Sequence, residues 1–270
     1  MRKQKRRLKT GVIFASAASA CLVFAGVLSV ILLSGRKAPP ARTSSVATVS
    51  GKASTKAAGL SALKSQLKTG GFLMLINKSH KLPESYTPAL VTIPSKYYVS
   101  SDKDRRFDKR AAPQLEAMID AGRKAGYNLI VYSGYRSYAY QQSNFDRHVA
   151  AYEKAGMSAA QATAKTAELV APPGTSEHES GLSCDIITTA YLGRMGNGGL
   201  VATDFDKRPE FSWLMKNCAK YGFILRYLEN KAKVTGYGYE SWHFRYVGAD
   251  NAKKIQAAGL ALEEYDAKIG

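Results

Sequence analysis

Hydrophobic residues follow two regimes along this chain. Residues 11–33 form one uncharged run, and beyond residue 70 apolar positions recur in short clusters cut by Gly, Pro and charged residues. In the second regime, Gly71-Phe-Leu-Met-Leu-Ile-Asn77 reads as a strand, followed by a Pro-containing loop through Pro94. Over residues 109–126, Leu115, Met118 and Ile119 fall at i, i+3 and i+4 with Ala125 on the same face. That spacing predicts an amphipathic helix stopping at Gly126. Residues 128–133 read as a short buried strand and 138–155 as a helix. Ser158 and Gln161 have capping-box spacing, so a further helix starts there and ends before Pro172-Pro173.

After a loop, residues 182–187 are extended, and 193–206 read as loop. Phe211, Leu214, Met215 and Cys218 repeat at helical spacing, predicting a helix over 209–221 with Pro209 in its first turn and Gly222 as its stop. Residues 223–227 and 244–247 read as strands, and 249–266 as a closing helix. Helices come in blocks between strands, without regular strand–helix alternation. The expected class is α+β, with a mostly antiparallel central sheet flanked by helices.

The run over 11–33 is long enough to cross a bilayer as one helix. Residues 2–9 carry Arg2, Lys3, Lys5, Arg6, Arg7 and Lys9, a flank that keeps the N-terminus cytoplasmic. Ser34-Gly-Arg-Lys is a poor cleavage site, so an uncleaved transmembrane anchor is expected, and Cys21 reads as a small residue of that helix. Rich in Ser, Thr, Ala and Lys, residues 34–69 read as a flexible basic linker. The expected organisation is a cytoplasmic basic tail (1–10), a signal anchor (11–33), the linker (34–69) and one folded domain (70–270). That domain would lie outside the cell membrane.

Composition alters this picture in one respect. Residues 1–68 hold 13 of the 39 Lys and Arg and no acid, the first carboxylate being Glu84. Of the formal net charge of +18, +5 therefore remains for residues 69–270. Nucleic-acid binding would want the basic excess on the folded part, and no nucleic-acid partner is expected.

Two distant stretches carry the chemistry: Ser176-Glu-His178-Glu-Ser-Gly181-Leu-Ser-Cys-Asp185 and Glu240-Ser-Trp242-His243. The chain has four histidines, His80, His148, His178 and His243, and two of them lie here. His178 and Asp185 cannot share one helix or one face of a strand, so a turn at Gly181 must bring them together. Taken singly, His178 reads as a loop histidine, Asp185 as a strand-end residue and Glu240 as a solvated carboxylate. As a set, His178, Asp185 and His243 offer three N/O ligands without a thiolate. That suits a catalytic zinc with an open position better than a closed structural site, and Glu240 is a carboxylate able to take a proton from water.

These two stretches resemble S-x-H-x-x-G-x-A-x-D followed by E-x-W-H, the signature of the VanY-like and LdcB-like zinc carboxypeptidases, which trim D-alanine from bacterial cell-wall peptides. The resemblance runs from Leu75-Ile-Asn-Lys to Arg245-Tyr-Val-Gly248 and includes Tyr132-Ser-Gly-Tyr-Arg136-Ser-Tyr, Gln141 and Tyr221-Gly-Phe-Ile-Leu-Arg226. It implies a Hedgehog/DD-peptidase-like fold with one Zn2+ held by His178, Asp185 and His243. It further implies Glu240 as base, Arg136 at the developing oxyanion, and Ser176 and Gln141 lining the substrate pocket. Trp242 joins that pocket as a candidate substrate-binding residue. The implied reaction is D-alanyl-D-alanine carboxypeptidase action on peptidoglycan stem peptides. The alternatives are L,D-carboxypeptidase action on tetrapeptide stems, or a non-catalytic wall-binding module on the same fold. Ser183 stands where the family has Ala and Glu179 where Gln is common, and Glu179 is expected to add negative charge near the substrate. Cys184 and Cys218 would face an oxidising compartment, where a bridge and two buried thiols are both open.

Overall fold

A run of β-branched and aliphatic residues makes Leu129–Ser133 a strand, labelled β3, and it begins the central sheet. The computed structural model describes residues 71–99, 104–192 and 204–269. In chain order the sheet strands are β3, β4 (Ser183–Thr188), β5 (Phe223–Leu225) and β6 (His243–Tyr246). Their spatial order is β3-β4-β6-β5, and every neighbouring pair is antiparallel. A separate antiparallel pair joins β1 (Leu90–Thr92) to β2 (Arg106–Asp108). The fold is α+β, as expected. The expected membrane span, the basic tail and the linker lie outside the described residues. Among the described residues no helix is long and apolar enough to cross a membrane.

Alternation along the strands sends the sheet's two faces to different work. Cys184 and Ile186 of β4, Phe223 and Leu225 of β5, and Phe244 of β6 enter the main core. There they meet Leu115, Met118 and Ile119 of α1 (Ala112–Lys124) and Leu214 of α5 (Pro209–Asn217). Ile224 and Val247 belong to a second cluster with Leu73, Ile255 of α7 (Ala249–Ala258) and Leu262 of α8 (Leu262–Ile269). α2 (Tyr138–Lys154) and α3 (Ala159–Leu169) pack on each other. The Ser158 hydroxyl and the Gln161 side chain form the capping box the sequence predicts.

Three expectations are corrected. Residues 71–77 are not a strand: they make one isolated bridge, Asn77 to His80. Leu73, Met74 and Ile76 are buried in apolar clusters, and Arg245 Nη2 donates to the carbonyls of Phe72 at 3.1 Å and Met74 at 2.8 Å, where a partner strand would otherwise bond. The loop expected through Pro94 contains β1, which at three residues is too short to show a period. The single closing helix is two, divided at Gly259, where φ is +60°. Helix α4 (Thr189–Leu192) follows β4, and α6 (Ala232–Thr235) lies between β5 and β6.

Gly181 turns the chain from the short 3-10 segment Glu177–Ser180 into β4 at φ +71°. A Cβ there would lie 2.6 Å from Leu90 Cδ2 and 3.3 Å from the Asp108 backbone nitrogen. One at Gly259 would meet nothing within 4 Å. Gly259→Ala is expected to cost about 1–2 kcal/mol for the left-handed backbone alone. Gly181→Ala should cost about 1 kcal/mol more, because packing adds to strain. Urea unfolding midpoints at matched slopes measure both, and equal losses would show that packing at Gly181 is irrelevant.

Candidate metal centre and cleft

The register of β4 on β6 sets Asp185 directly opposite His243. Opposed side chains of an antiparallel pair leave the same face with Cβ atoms about 4.5–5.5 Å apart. An irregularity in β3 between Val131 and Ser133 also sets Ser133 against Asp185. His178 arrives from the turn before Gly181. His178 Nε2 lies 3.4 Å and His243 Nδ1 3.1 Å from the same oxygen, Asp185 Oδ1. The three residues are buried, and their ligand atoms all lie within 4.8 Å of one another.

Proton positions follow from the partners. His178 Nδ1 is 2.6 Å from the Gly134 carbonyl oxygen, which only accepts, so Nδ1 carries the hydrogen. Burial, reinforced by the Arg136 charge, lowers the His178 pKa to about 4. The ring is then neutral at pH 7 and Nε2 presents a lone pair. Burial opposes the charged form of His243 too, but Asp185 and Glu177 outweigh it and raise its pKa to about 9. Burial likewise opposes the Asp185 carboxylate, yet the two imidazoles hold it below the ordinary range. His243 thus faces carboxylates of Asp185 at 3.1 Å, Glu177 at 3.7 Å and Glu240 at 3.7 Å. Two imidazoles aimed at one carboxylate oxygen, in a pocket rich in negative charge, suit a divalent cation. Three N/O ligands leave a tetrahedral zinc one open position.

The flanking groups divide into those that reach the cleft and those that brace it. Glu240 precedes a tight turn, with the His243 amide donating to its carbonyl at 3.4 Å. Its side chain is 27% exposed at the cleft. Desolvation, only partly offset by His243, raises its pKa to about 7. Arg136 Nη2 lies 3.6 Å from Asp185 Oδ2, and its other nitrogens donate to Ser133 Oγ at 3.3 Å and Gln141 Oε1 at 3.1 Å. Ser176 and Trp242 line a cleft of about 300 Å³ together with His178, Tyr227, Tyr237 and Glu240.

Gln141 departs from its expected place in the substrate pocket. It is fully buried, and its Nε2 donates to the Ala171 carbonyl at 2.7 Å, so it braces Arg136 from behind. Glu179 is also turned from the cleft: both its oxygens accept from the Gly174 amide, at 2.9 and 3.1 Å. It ties down a loop and adds no charge at the cleft wall. Cys184 and Cys218 are both free and buried, and burial pushes the Cys218 thiol up to about 12.

Sequence reasoning missed Glu177. Its Oε1 accepts from Arg226 Nε and Arg245 Nη1, each at 2.7 Å, with all three side chains fully buried. Burial opposes its charge, but the two guanidinium groups hold the carboxyl far below its usual range. A signal existed in the sequence: Arg226, just after β5, and Arg245, within β6, interrupt apolar runs, and a buried arginine demands a buried acid.

Comparison with known proteins agrees with this geometry. The family model VanY, described as D-alanyl-D-alanine carboxypeptidase, matches residues 104–249. The chain is 40% identical over 199 residues to the putative carboxypeptidase YodJ of Bacillus subtilis (strain 168), covering 73% of this chain and 67% of that protein. It resembles the solved structure of the LdcB LD-carboxypeptidase with a TM-score of 0.64 at 40% identity, over 74% of this chain and 88% of that one. It also resembles a mutant form of the vancomycin-resistance D,D-pentapeptidase VanY from a VanB-type cassette, in complex with Zn(II). There the TM-score is 0.57 at 38% identity, over 72% of this chain and 97% of that one.

Replacing a ligand should empty the centre while the core endures. Asp185→Ala is expected to lose stoichiometric zinc on dialysis, whereas Cys184→Ser, which removes no ligand, retains it. Metal analysis of the purified chains decides this, and zinc retained by Asp185→Ala would exclude that carboxylate as a ligand.

Proposed function

The chain belongs to the VanY family of D-alanyl-D-alanine carboxypeptidases, and on that premise we propose that it is a zinc-dependent carboxypeptidase removing the terminal D-alanine of peptidoglycan stem peptides. The observation that carries this reading is the convergence of His178, Asp185 and His243 beside Glu240 and Arg136 in one cleft. Zinc held by those three residues supplies Lewis-acid polarisation of water and of the scissile carbonyl.

The chain's own residues supply the rest. Glu240, with a pKa near 7, takes the proton of the attacking water as oxygen adds to the carbonyl carbon. The Arg136 guanidinium, fixed by Ser133 and Gln141, is placed in advance of the charge that develops on the carbonyl oxygen. Removing a single pre-placed oxyanion donor costs about 2.7–4 kcal/mol. As the C–N bond breaks, Glu240 returns its proton to the leaving amine of D-alanine. Ser176 and Trp242 form part of the wall against which the peptide lies. The second reading, L,D-cleavage of a tetrapeptide stem, uses the same residues on a different bond, and it is favoured by the likeness to the LdcB LD-carboxypeptidase.

The proposed location is outside the cell membrane on a single N-terminal span. Its support is sequence alone: the basic residues 2–9, the uncharged run 11–33 and the basic linker over 34–69. In that arrangement the anchored domain meets the wall peptide directly.

Incubating the full chain with pentapeptide and tetrapeptide stems, with and without chelator, tests the reading. D-alanine should be released from one of them and abolished by chelator. Release that chelator leaves untouched would refute a metal mechanism. Glu240→Ala should keep zinc and lose on the order of 10²-fold or more in kcat. A variant within a few-fold of the parent would remove Glu240 from the role of base.

A further inference from the structure

Glu177 touches none of the metal-facing atoms, yet its carboxylate is aimed at one of the ligands. His243 turns Nδ1 toward Asp185 Oδ1, at 3.1 Å, on the metal side of the ring. For Nδ1 to give a lone pair to zinc, the ring proton must stand on Nε2. Nε2 is buried and has no hydrogen-bond partner among the described residues. The same holds for Glu177 Oε2, which lies 3.7 Å from it. Two unsatisfied buried atoms of opposite character facing each other call for an explanation, because buried polar groups are normally paired.

The carboxylate is held rigidly from behind. Its other oxygen accepts from both Arg226 and Arg245. Arg226 also donates to Glu263 at 2.6 and 2.9 Å, and Arg245 to the carbonyls of Phe72, Met74 and Tyr246. Rotation of Glu177 would break these bonds, so Oε2 stays directed at the imidazole. We propose that Glu177 is a positioning residue for zinc binding: its Oε2 accepts the Nε2 proton of His243 and thereby keeps Nδ1 free for the metal. The inference rests on the reading of His178, Asp185 and His243 as ligands. It adds that a buried ion cluster behind the centre sets the tautomer of one of them.

A purely structural role, neutralising two buried arginines, makes a different prediction. In Glu177→Gln the amide oxygen must face the arginines, so the amide NH2 faces His243. It can only donate, which forces Nε2 to accept and moves the proton to Nδ1, against the metal. Glu263→Gln removes a charge from the same Arg226 without approaching His243.

The test is the zinc dissociation constant of the full chain, measured by competition with a chromophoric chelator alongside unfolding midpoints. Glu177→Gln should weaken zinc about 10- to 100-fold, while Glu263→Gln stays within a few-fold of the parent. Equal weakening in both, or none in Glu177→Gln, would overturn the proposal. Should Glu177→Gln fail to fold, nitrogen chemical shifts of His243 in the zinc-loaded parent decide: a protonated Nε2 with a coordinated Nδ1 supports it, and the reverse overturns it. A parent chain that binds no zinc refutes the ligand set itself, and this inference with it.

Discussion

The pairing of β4 with β6 in one register is the constraint on which the site depends. Asp185 and His243 are 58 residues apart in the chain, and they meet because backbone hydrogen bonds set them opposite each other. A slip of one residue would turn His243 to the core face and bring Phe244 to the metal face. That slip is resisted by the apolar alternation itself, since Cys184, Ile186 and Phe244 fill the main core only in the observed register. The hydrophobic pattern of the two strands therefore also fixes the geometry of the polar centre, and Gly181 lets the third ligand reach it.

Behind the centre the protein buries an unusual amount of charge. Glu177, Arg226 and Arg245 are fully buried, and Glu263 closes the far side of the cluster. Burying isolated ions costs several kcal/mol each, and mutual attraction repays that only when geometry and hydrogen bonding are good. Here Arg245 saturates its nitrogens with backbone carbonyls as well as with Glu177, so the segment over 71–77 is held by a side chain where a sheet would use a strand. Such a cluster is a weak source of net stability. Its structural consequence is a Glu177 carboxylate held in place beside His243.

Much of this was legible in the sequence wherever one face of an element alternates or repeats strongly. The helix containing Leu115, Met118 and Ile119, the capping box at Ser158 and the strands around Asp185 and Phe244 each carry their own local signal. So do His178, Asp185 and His243, the proposed ligands, because few histidines compete for the part. What escaped depends on distant partners. Residues 71–77 look like a strand, but two of their carbonyls, Phe72 and Met74, are bonded by Arg245, more than 170 residues away. β1 and β2 are too short to display a period, and the break at Gly259 is a single backbone conformation within an otherwise helical pattern. The motif positions of Gln141 and Glu179 suggest cleft residues, and only the packing shows that both face inward.

Glu177 and Glu240 show why residue type alone could not assign the roles. Both carboxylates lie within 3.7 Å of a nitrogen of His243, one on each side of the ring. Glu177 is enclosed by two guanidinium groups that hold it ionised throughout the physiological range, so it can accept a hydrogen bond but cannot exchange a proton usefully. Glu240 stands at the cleft, stripped of part of its water, and burial outweighs the nearby His243 and Arg136 charges, so its pKa rises to about 7. A group that must take a proton and return it works best near the ambient pH, whereas a group that must hold a neighbour in place works best when its charge never changes. In the proposed mechanism the same side chain thus serves as a fixed acceptor at Glu177 or an exchanging base at Glu240 according to what surrounds it, and the division follows from which of the two faces Arg226 and Arg245.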